Sequence, residues 1–436
     1  MSPLSNIASW VNSPGLNWSQ IIISLSTAKF IFMSYMNIRQ LGVLQRGKPP
    51  KTLEAEAMQA AYDKSRAYSL DKIKCSIAFD IWLYCDSLIY IKFNVYLALW
   101  QASAYASSVL PGSAKGEITQ SVLLAAIELL AHNLIILPFM YYRDFYLEEK
   151  HDFNNSTSSQ WLIDKSKESL ILLVIHSALI AGTLKVVELA EDLFIWYTWL
   201  FISIFIIVVG TLYPYLILPL FYKSKPLGLG KLKDSIDSLA HKNGFPLANV
   251  NVVNGSKTSS HTSAFFTGFP WSKHIFLYDT MVDKFEVEET TAVLAHEIGH
   301  WALNHMLIQS VYLQLRVLLI LSAFSLFYRN PYLYSSFGFN HTPVYVKFGI
   351  FCYILTPMNC ALQFMSNVLS RKHEYEADAY AVNQSYREHT ATALVKNYKN
   401  NGGVLDAHWL YSAYHHSHPL LHERLQAIKQ VSHKIK

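Results

Sequence analysis

Hydrophobic and polar positions alternate along this chain in blocks rather than at the spacing of an amphipathic helix or strand. Uncharged or nearly uncharged apolar stretches begin near Ile21, Ile77, Val122, Leu170, Phe194, Leu313 and Val346. Each runs for about 18 to 25 residues, enough to cross the hydrocarbon of a bilayer at helical rise. The pattern predicts about seven transmembrane helices. Several are imperfect, with Lys29, Asp86, Lys92, Glu128, His132 and His176 inside them, and ionisable groups at such depth face a cavity or a partner helix. Between the spans, GKLKDSIDSLAHKNG (residues 230 to 244) has a helical period ending at Gly244. The runs VNVVNG and HIFLYDT read as a small strand pair. The fold class is thus an all-α polytopic membrane protein with a small β element in a polar segment.

Composition agrees, with 52% hydrophobic and 15% charged residues over 436 positions, against the balance of a soluble globular chain. A net charge of +5 without a basic run leaves nucleic-acid binding unsupported. Cys75, Cys85, Cys352 and Cys360 match no zinc ribbon or disulfide framework and read as buried small hydrophobes. The N-terminal MSPLSNIASWVNSPGLNW lacks the basic start of a cleaved signal peptide.

Lys and Arg alternate between connections. The first eighteen residues have none, while the next connection holds Arg39, Arg46, Lys48, Lys51, Lys64, Arg66, Lys72 and Lys74. Residues 101 to 119 contribute only Lys115; residues 141 to 168 carry Arg143, Lys150, Lys165 and Lys167. By the positive-inside rule this places the N-terminus in the lumen and the C-terminus in the cytosol. The expected organisation is residues 1–221, five N-terminal transmembrane helices; 222–311, a cytosolic segment; 312–367, helices six and seven; and 368–436, a cytosolic C-terminal segment.

The two cytosolic segments hold the candidate chemistry. In VLAHEIGHWALNH (residues 293 to 305), His296 and His300 stand one helical turn apart, so both imidazoles can reach one metal. Glu297 points to the neighbouring side, where it can take a proton from water at the metal. No Pro and only Gly299 interrupt residues 286 to 327, so one helix is expected to carry the motif into the sixth span. A catalytic zinc needs a third protein ligand, and SRKHEYEADAYA offers Glu374, with Asp378 one turn on to orient a ligand histidine. Glu376 lies about 200° around the helix from Glu374 and is a poor third ligand. In HHSHPLLHERL, His418 and Arg424 can donate to an oxyanion or anchor a carboxylate.

These motifs, in this order, resemble the integral-membrane CAAX prenyl protease 1 family of zinc endopeptidases. The resemblance runs through YDKSRAYSLDK, EEKHDFN, PLFYKSKPL, GSKTSSHTSAFFTGF, HEIGH, EYEADAYA and the HP and ERL of residues 418 to 425, covering nearly the whole chain. It implies seven helices around a water-filled intramembrane chamber, and an endoplasmic-reticulum or inner nuclear membrane location. The implied reaction is removal of the C-terminal tripeptide from prenylated C-a-a-X proteins. It implies one zinc ion per chain held by His296, His300 and Glu374, with Glu297 as general base and His418 as transition-state donor. Arg424 would belong to the same network, and Ser263, Ala264 and Phe265 to an edge strand that holds the substrate backbone. The implied partners are prenylated proteins and the bilayer.

The chain departs from the family pattern at Ser263, where Asn is usual, and at Leu420, where a second Pro is usual. From the residues alone, the competing readings are a membrane quality-control zinc protease and a non-catalytic seven-span receptor, transporter or scaffold.

Overall fold

The structure is a computed structural model and describes residues 11–47, 49–50, 56–112, 115–269 and 271–434. The first ten residues, Lys48, Lys51 and the last two residues, on which part of the sequence reading rests, lie outside the described set.

The first half is helical: α1 (Trp18–Gln45), α2 (Glu56–Lys92), α3 (Val95–Ser108), α4 (Glu117–Tyr141), α5 (Ser158–Ala190) and α6 (Phe194–Leu212). Asn17 caps α1 by accepting from Gln20 N, and Thr157 caps α5 by accepting from Gln160 N, each satisfying an otherwise orphan donor. The chain reverses between α5 and α6, where Glu191 takes φ 45°. Gly182 then faces the ring of Phe201, which a Cβ would meet at 2.2 Å.

All seven expected starts fall inside helices. Length and apolarity qualify four helical segments among the described residues, Trp18–Gln45, Glu117–Lys150, Ser158–Phe221 and His305–Phe327, and a fifth if a pair bent by 69° counts as one span. The reversal at Glu191 divides Ser158–Phe221 in two. α2, which holds the expected second span, does not qualify by that measure because polar and charged residues run through it, Asp80 and Asp86 among them. Only 11 to 17% of the qualifying spans is buried, as expected of helices that face lipid or an internal cavity. The cysteines share this environment: Cys85 and Cys352 are exposed, and Cys75 and Cys360 half-buried. They are free thiols but not the buried hydrophobes the sequence suggested.

Contacts sort the connections onto two poles. At one, Val11, Trp18, Ile22, Ile91, Tyr96, Leu333, Phe337 and Phe339 form a single apolar cluster, and Asn330 donates to Val11 O at 2.9 Å. At the other, the basic connections meet the later segments. His408 N donates to Gln40 Oε1 at 2.8 Å, Ser65 Oγ to Gly403 O at 2.6 Å, and Asn155 N to Thr258 O at 3.2 Å.

The polar segment folds as β1 (Ser224–Pro226), α7 (Lys231–Lys242), β2 (Leu247–Val253), β3 (Ala264–Phe269) and β4 (Ser272–Tyr278). α7 ends as read from sequence, with Gly244 at φ 63°. The expected strand pair exists as β2 and β4, parallel, inside a four-stranded sheet of order β1-β2-β4-β3 whose outer strands pair antiparallel. Ile236, Leu239, Ile275, Leu277 and Met281 on this sheet and α7 pack against Leu294, Ala295 and Ile298 of α8 (Val287–Ala302).

The longer helices that follow are α9 (His305–Phe327), α10 (Val344–Ile354), α11 (Thr356–Ala381), α12 (Arg387–Asn400) and α13 (Leu421–Lys434). The expected unbroken helix from 286 to 327 is two, because Asn304 takes φ 56° and separates α8 from α9. Asn tolerates that left-handed conformation better than most residues, which is why no Gly or Pro announced the break. The 69° bend falls between α10 and α11, where Pro357 is at the start of the new helix and cannot donate to the preceding turn.

Candidate active site

The site is built on α8. A capping box starts this helix: Glu286 accepts at the third position, and Glu289 Oε2 accepts from Glu286 N at 3.0 Å. Lys396 Nζ of α12 lies 2.6 Å from the same Glu289 oxygen and ties the two helices together. Gly299 permits close packing on α11, since a Cβ there would come within 2.9 Å of Tyr380 Cβ. That approach brings the EYEADAYA stretch of α11 against the HEIGH stretch of α8.

His296 Nε2 and His300 Nε2 lie 3.1 Å apart, and Glu374 reaches both, Oε2 at 3.6 Å from His296 Nε2 and Oε1 at 3.5 Å from His300 Nε2. Ligand atoms about 2.0 to 2.1 Å from a tetrahedral metal stand about 3.3 Å from one another, so these three fit one ion. The opposite ring nitrogens are already engaged. His296 Nδ1 lies 3.0 Å from Asp378 Oδ1, and His300 Nδ1 lies 2.9 Å from His305 Nδ1, so both Nε2 lone pairs are left to converge. Glu374 Oε2 is buried and has no hydrogen-bond donor aligned on it, although His418 Nδ1 at 2.9 Å and Arg424 Nη1 at 3.2 Å are near. A buried carboxylate oxygen left in this way is the acceptor a cation would complete.

Arg424, on α13, is buried and bidentate to Asp378, Nε to Oδ2 at 2.8 Å and Nη2 to Oδ1 at 2.7 Å. Burial alone would lower its pKa, but the charge of Asp378 outweighs that and raises it, so the guanidinium stays charged. Asp378 therefore joins Arg424 to His296. His418 is more than half exposed at the pocket edge. Burial pushes the Glu297 carboxyl up from its ordinary value, opposed by the charges of His296 and His300, the environment that makes a carboxylate a stronger base.

A cavity of about 360 Å³ holds Glu297, His296, Glu374, His418 and Arg424 together with Ser263 and Ala264. β3 is an edge strand, and it begins at Ala264, so Ser263 lies one residue outside it. Ser263 O accepts from Tyr278 N of β4 at 3.0 Å. By antiparallel alternation, the N–H and C=O of Ala264 then point to the free edge and those of Phe265 to β4.

Sequence reasoning missed three residues here. Asn397 and Asn401 line the same cavity, and both meet Thr262, with Asn401 Oδ1 2.7 Å from Thr262 N. No motif marks them. His305 was in the quoted stretch but received no role, because a continuous helix would have carried it about 140° around from His300.

An HExxH helix, a buried carboxylate from a second helix facing both histidines and a glutamate in the same cavity, in a chain with membrane-length apolar helices, are the arrangement of a membrane metallopeptidase. Two family profiles match: "CAAX prenyl protease N-terminal, five membrane helices" over residues 40–223 and "Peptidase family M48" over residues 226–432. The chain is 38% identical to CAAX prenyl protease 1 of Saccharomyces cerevisiae over 445 residues, covering 98% of each. It is 33% identical to the human CAAX prenyl protease 1 homolog over 407 residues, covering 84% of this chain and 86% of the human one. The crystal structure of S. mikatae Ste24p superposes with a TM-score of 0.90 at 38% identity, covering 95% of this chain and 100% of that one. The chain belongs to the CAAX prenyl protease 1 family of M48 peptidases.

Proposed function

We propose that the protein is a zinc endopeptidase that hydrolyses the peptide bond after a prenylated cysteine, releasing the last three residues of C-a-a-X proteins at the cytosolic face of the endoplasmic-reticulum or inner nuclear membrane. The observation that carries this reading is the convergence of His296 Nε2, His300 Nε2 and Glu374 on one point beside Glu297, in a cavity bordered by the free edge of β3. The names of the relatives supply the substrate class.

His296, His300 and Glu374 would hold one zinc ion, which when bound would supply a Lewis acid for the scissile carbonyl and for a water. The outward N–H and C=O of Ala264 pair with the peptide as an added strand and hold the bond over the ligands. Glu297 accepts the proton of the attacking water as it adds to the carbonyl carbon. The same carboxyl delivers that proton to the leaving nitrogen as the C–N bond breaks. His418 donates to the oxygen on which charge develops, and Arg424 keeps Asp378, and through it His296, in register.

The test is mass spectrometry of a farnesylated C-a-a-X peptide incubated with the detergent-purified protein. Wild type is expected to release the terminal tripeptide. Glu297→Ala is expected to keep its zinc and lose roughly 10²- to 10⁴-fold in turnover. No release by zinc-loaded wild type sinks the substrate assignment, and wild-type turnover in Glu297→Ala sinks the role of that residue.

A further inference from the structure

We propose that His305 and Glu376 form a relay that positions His300, a role neither residue has been given. The proposal rests on the reading of His300 as a metal ligand. His305 is buried at the first position of α9, and its Nδ1 lies 2.9 Å from His300 Nδ1. Its Nε2 lies 3.1 Å from Glu376 Oε2. Only one tautomer satisfies every contact. If His300 Nε2 offers its lone pair to a metal, its proton is on Nδ1 and is donated to His305 Nδ1. The proton of His305 must then be on Nε2, where it is donated to the Glu376 carboxylate. Each ring nitrogen is used once, and both rings are neutral.

The two ligand histidines are therefore held from behind in different ways. His296 leans directly on Asp378, whose charge Arg424 neutralises at 2.7 and 2.8 Å. His300 leans on an imidazole, which leans on a half-exposed carboxylate that Lys372 Nζ approaches at 3.6 Å. Such contacts fix ring orientation and raise the basicity of the metal-facing nitrogen. The break at Asn304 creates this arrangement, because it returns His305 to the face of His300.

A rival reading of the same side chains is a second metal site, since His305, His373 and Glu376 place ligand atoms within 4.8 Å of one another. Ring geometry argues against it. His305 and His373 stack with centroids 4.0 Å apart and planes 9° from parallel. Imidazole lone pairs lie in the ring plane, so a metal shared by both would sit about 2 Å out of each plane, as far as a whole zinc–nitrogen bond is long.

The experiment measures zinc affinity of the full-length detergent-purified protein by competition with a chelating dye at one pH, with metal stoichiometry by elemental analysis. His305→Leu removes the acceptor facing His300 and is expected to weaken zinc binding roughly 10- to 100-fold. His305→Asn places an oxygen where Nδ1 was but no N–H where Nε2 was, so it is expected to bind zinc about three- to tenfold more weakly than wild type and more tightly than His305→Leu, an order that a merely packing role would not produce. Glu376→Gln, at a half-exposed position that leaves folding intact, is expected to weaken binding about three- to tenfold. His373→Ala is expected to leave affinity and stoichiometry unchanged. Wild-type affinity in both His305→Leu and Glu376→Gln overturns the relay, as does a second bound zinc that His373→Ala removes. His300→Ala separates the two levels: if it too retains zinc, the ligand reading itself falls, whereas loss of zinc there with no effect of His305→Leu overturns the relay alone.

Discussion

At the scale of single residues, Arg424 is the one whose loss would be felt most widely. It is buried, it donates two hydrogen bonds to Asp378, and its third nitrogen lies 3.2 Å from Glu374. Replacing it with Met leaves two carboxylates buried without their cation, a change that costs about 3 to 5 kcal/mol when one partner of a buried ion pair is removed. We expect Arg424→Met to lower the thermal midpoint of the detergent-solubilised protein well below that of His418→Ala, whose ring is largely exposed. Equal midpoints would show that Arg424 carries no such load. His296, His300, Glu374 and Asp378 were legible in the sequence because two pairs at a four-residue spacing need only a helix to align them. Asn397 and Asn401 were not, because their place depends on how α12 folds back after Ser385, at φ 73°, ends the preceding turn.

At the scale of elements, the approach of α8 to α11 sets the distance between the histidines and Glu374. Gly299→Ala would drive a Cβ to 2.9 Å from Tyr380 Cβ, which no side-chain rotation relieves. We expect a displacement of the two helices that costs roughly 100-fold in kcat/KM, the penalty of a misplacement of about 1 Å, together with weaker zinc binding. Unaltered kinetics would mean that the helices have slack. β3 offers a second test. Proline is tolerated on an edge strand when its missing N–H faces outward, as that of Ala264 does, so we expect Ala264→Pro to fold normally and to lose kcat/KM on a C-a-a-X peptide. The sequence disclosed β2 and β4 through their β-branched and aromatic runs. β1 holds three residues, one of them Pro226, too few to carry a pattern, and β3 was expected from the family resemblance and not from a pattern of its own.

At the scale of the whole molecule, the segregation of connections onto two poles agrees with the alternation of Lys and Arg along the chain. Asn154-Asn155-Ser156 and Asn340-His341-Thr342 are N-x-S/T acceptor patterns. Asn154 bridges to Ser259, on the side of the segment that carries the candidate site, while Asn340 follows Phe339 of the pole built around Trp18 and Phe337. With the N-terminus in the lumen, we expect glycan on Asn340 and none on Asn154 or Asn254 when the protein is expressed in a glycosylating host. A glycan on Asn154, detected by a mobility shift that endoglycosidase reverses, would invert the orientation. Helix number was less legible than helix position, because the polar and charged residues of α2 dilute the hydropathy on which any count depends.

The free edge of β3 has one more consequence. An added strand is read through amides that every residue carries, and Ala264 presents no long side chain with which to question its neighbour. Such a slot is nearly blind to the letters of the peptide it grips. On the reading proposed above, discrimination would then fall to the other side chains that line the cavity, Asn397 and Asn401 among them, and to how a chain is delivered to it, so that the guest list would be kept by geography more than by spelling.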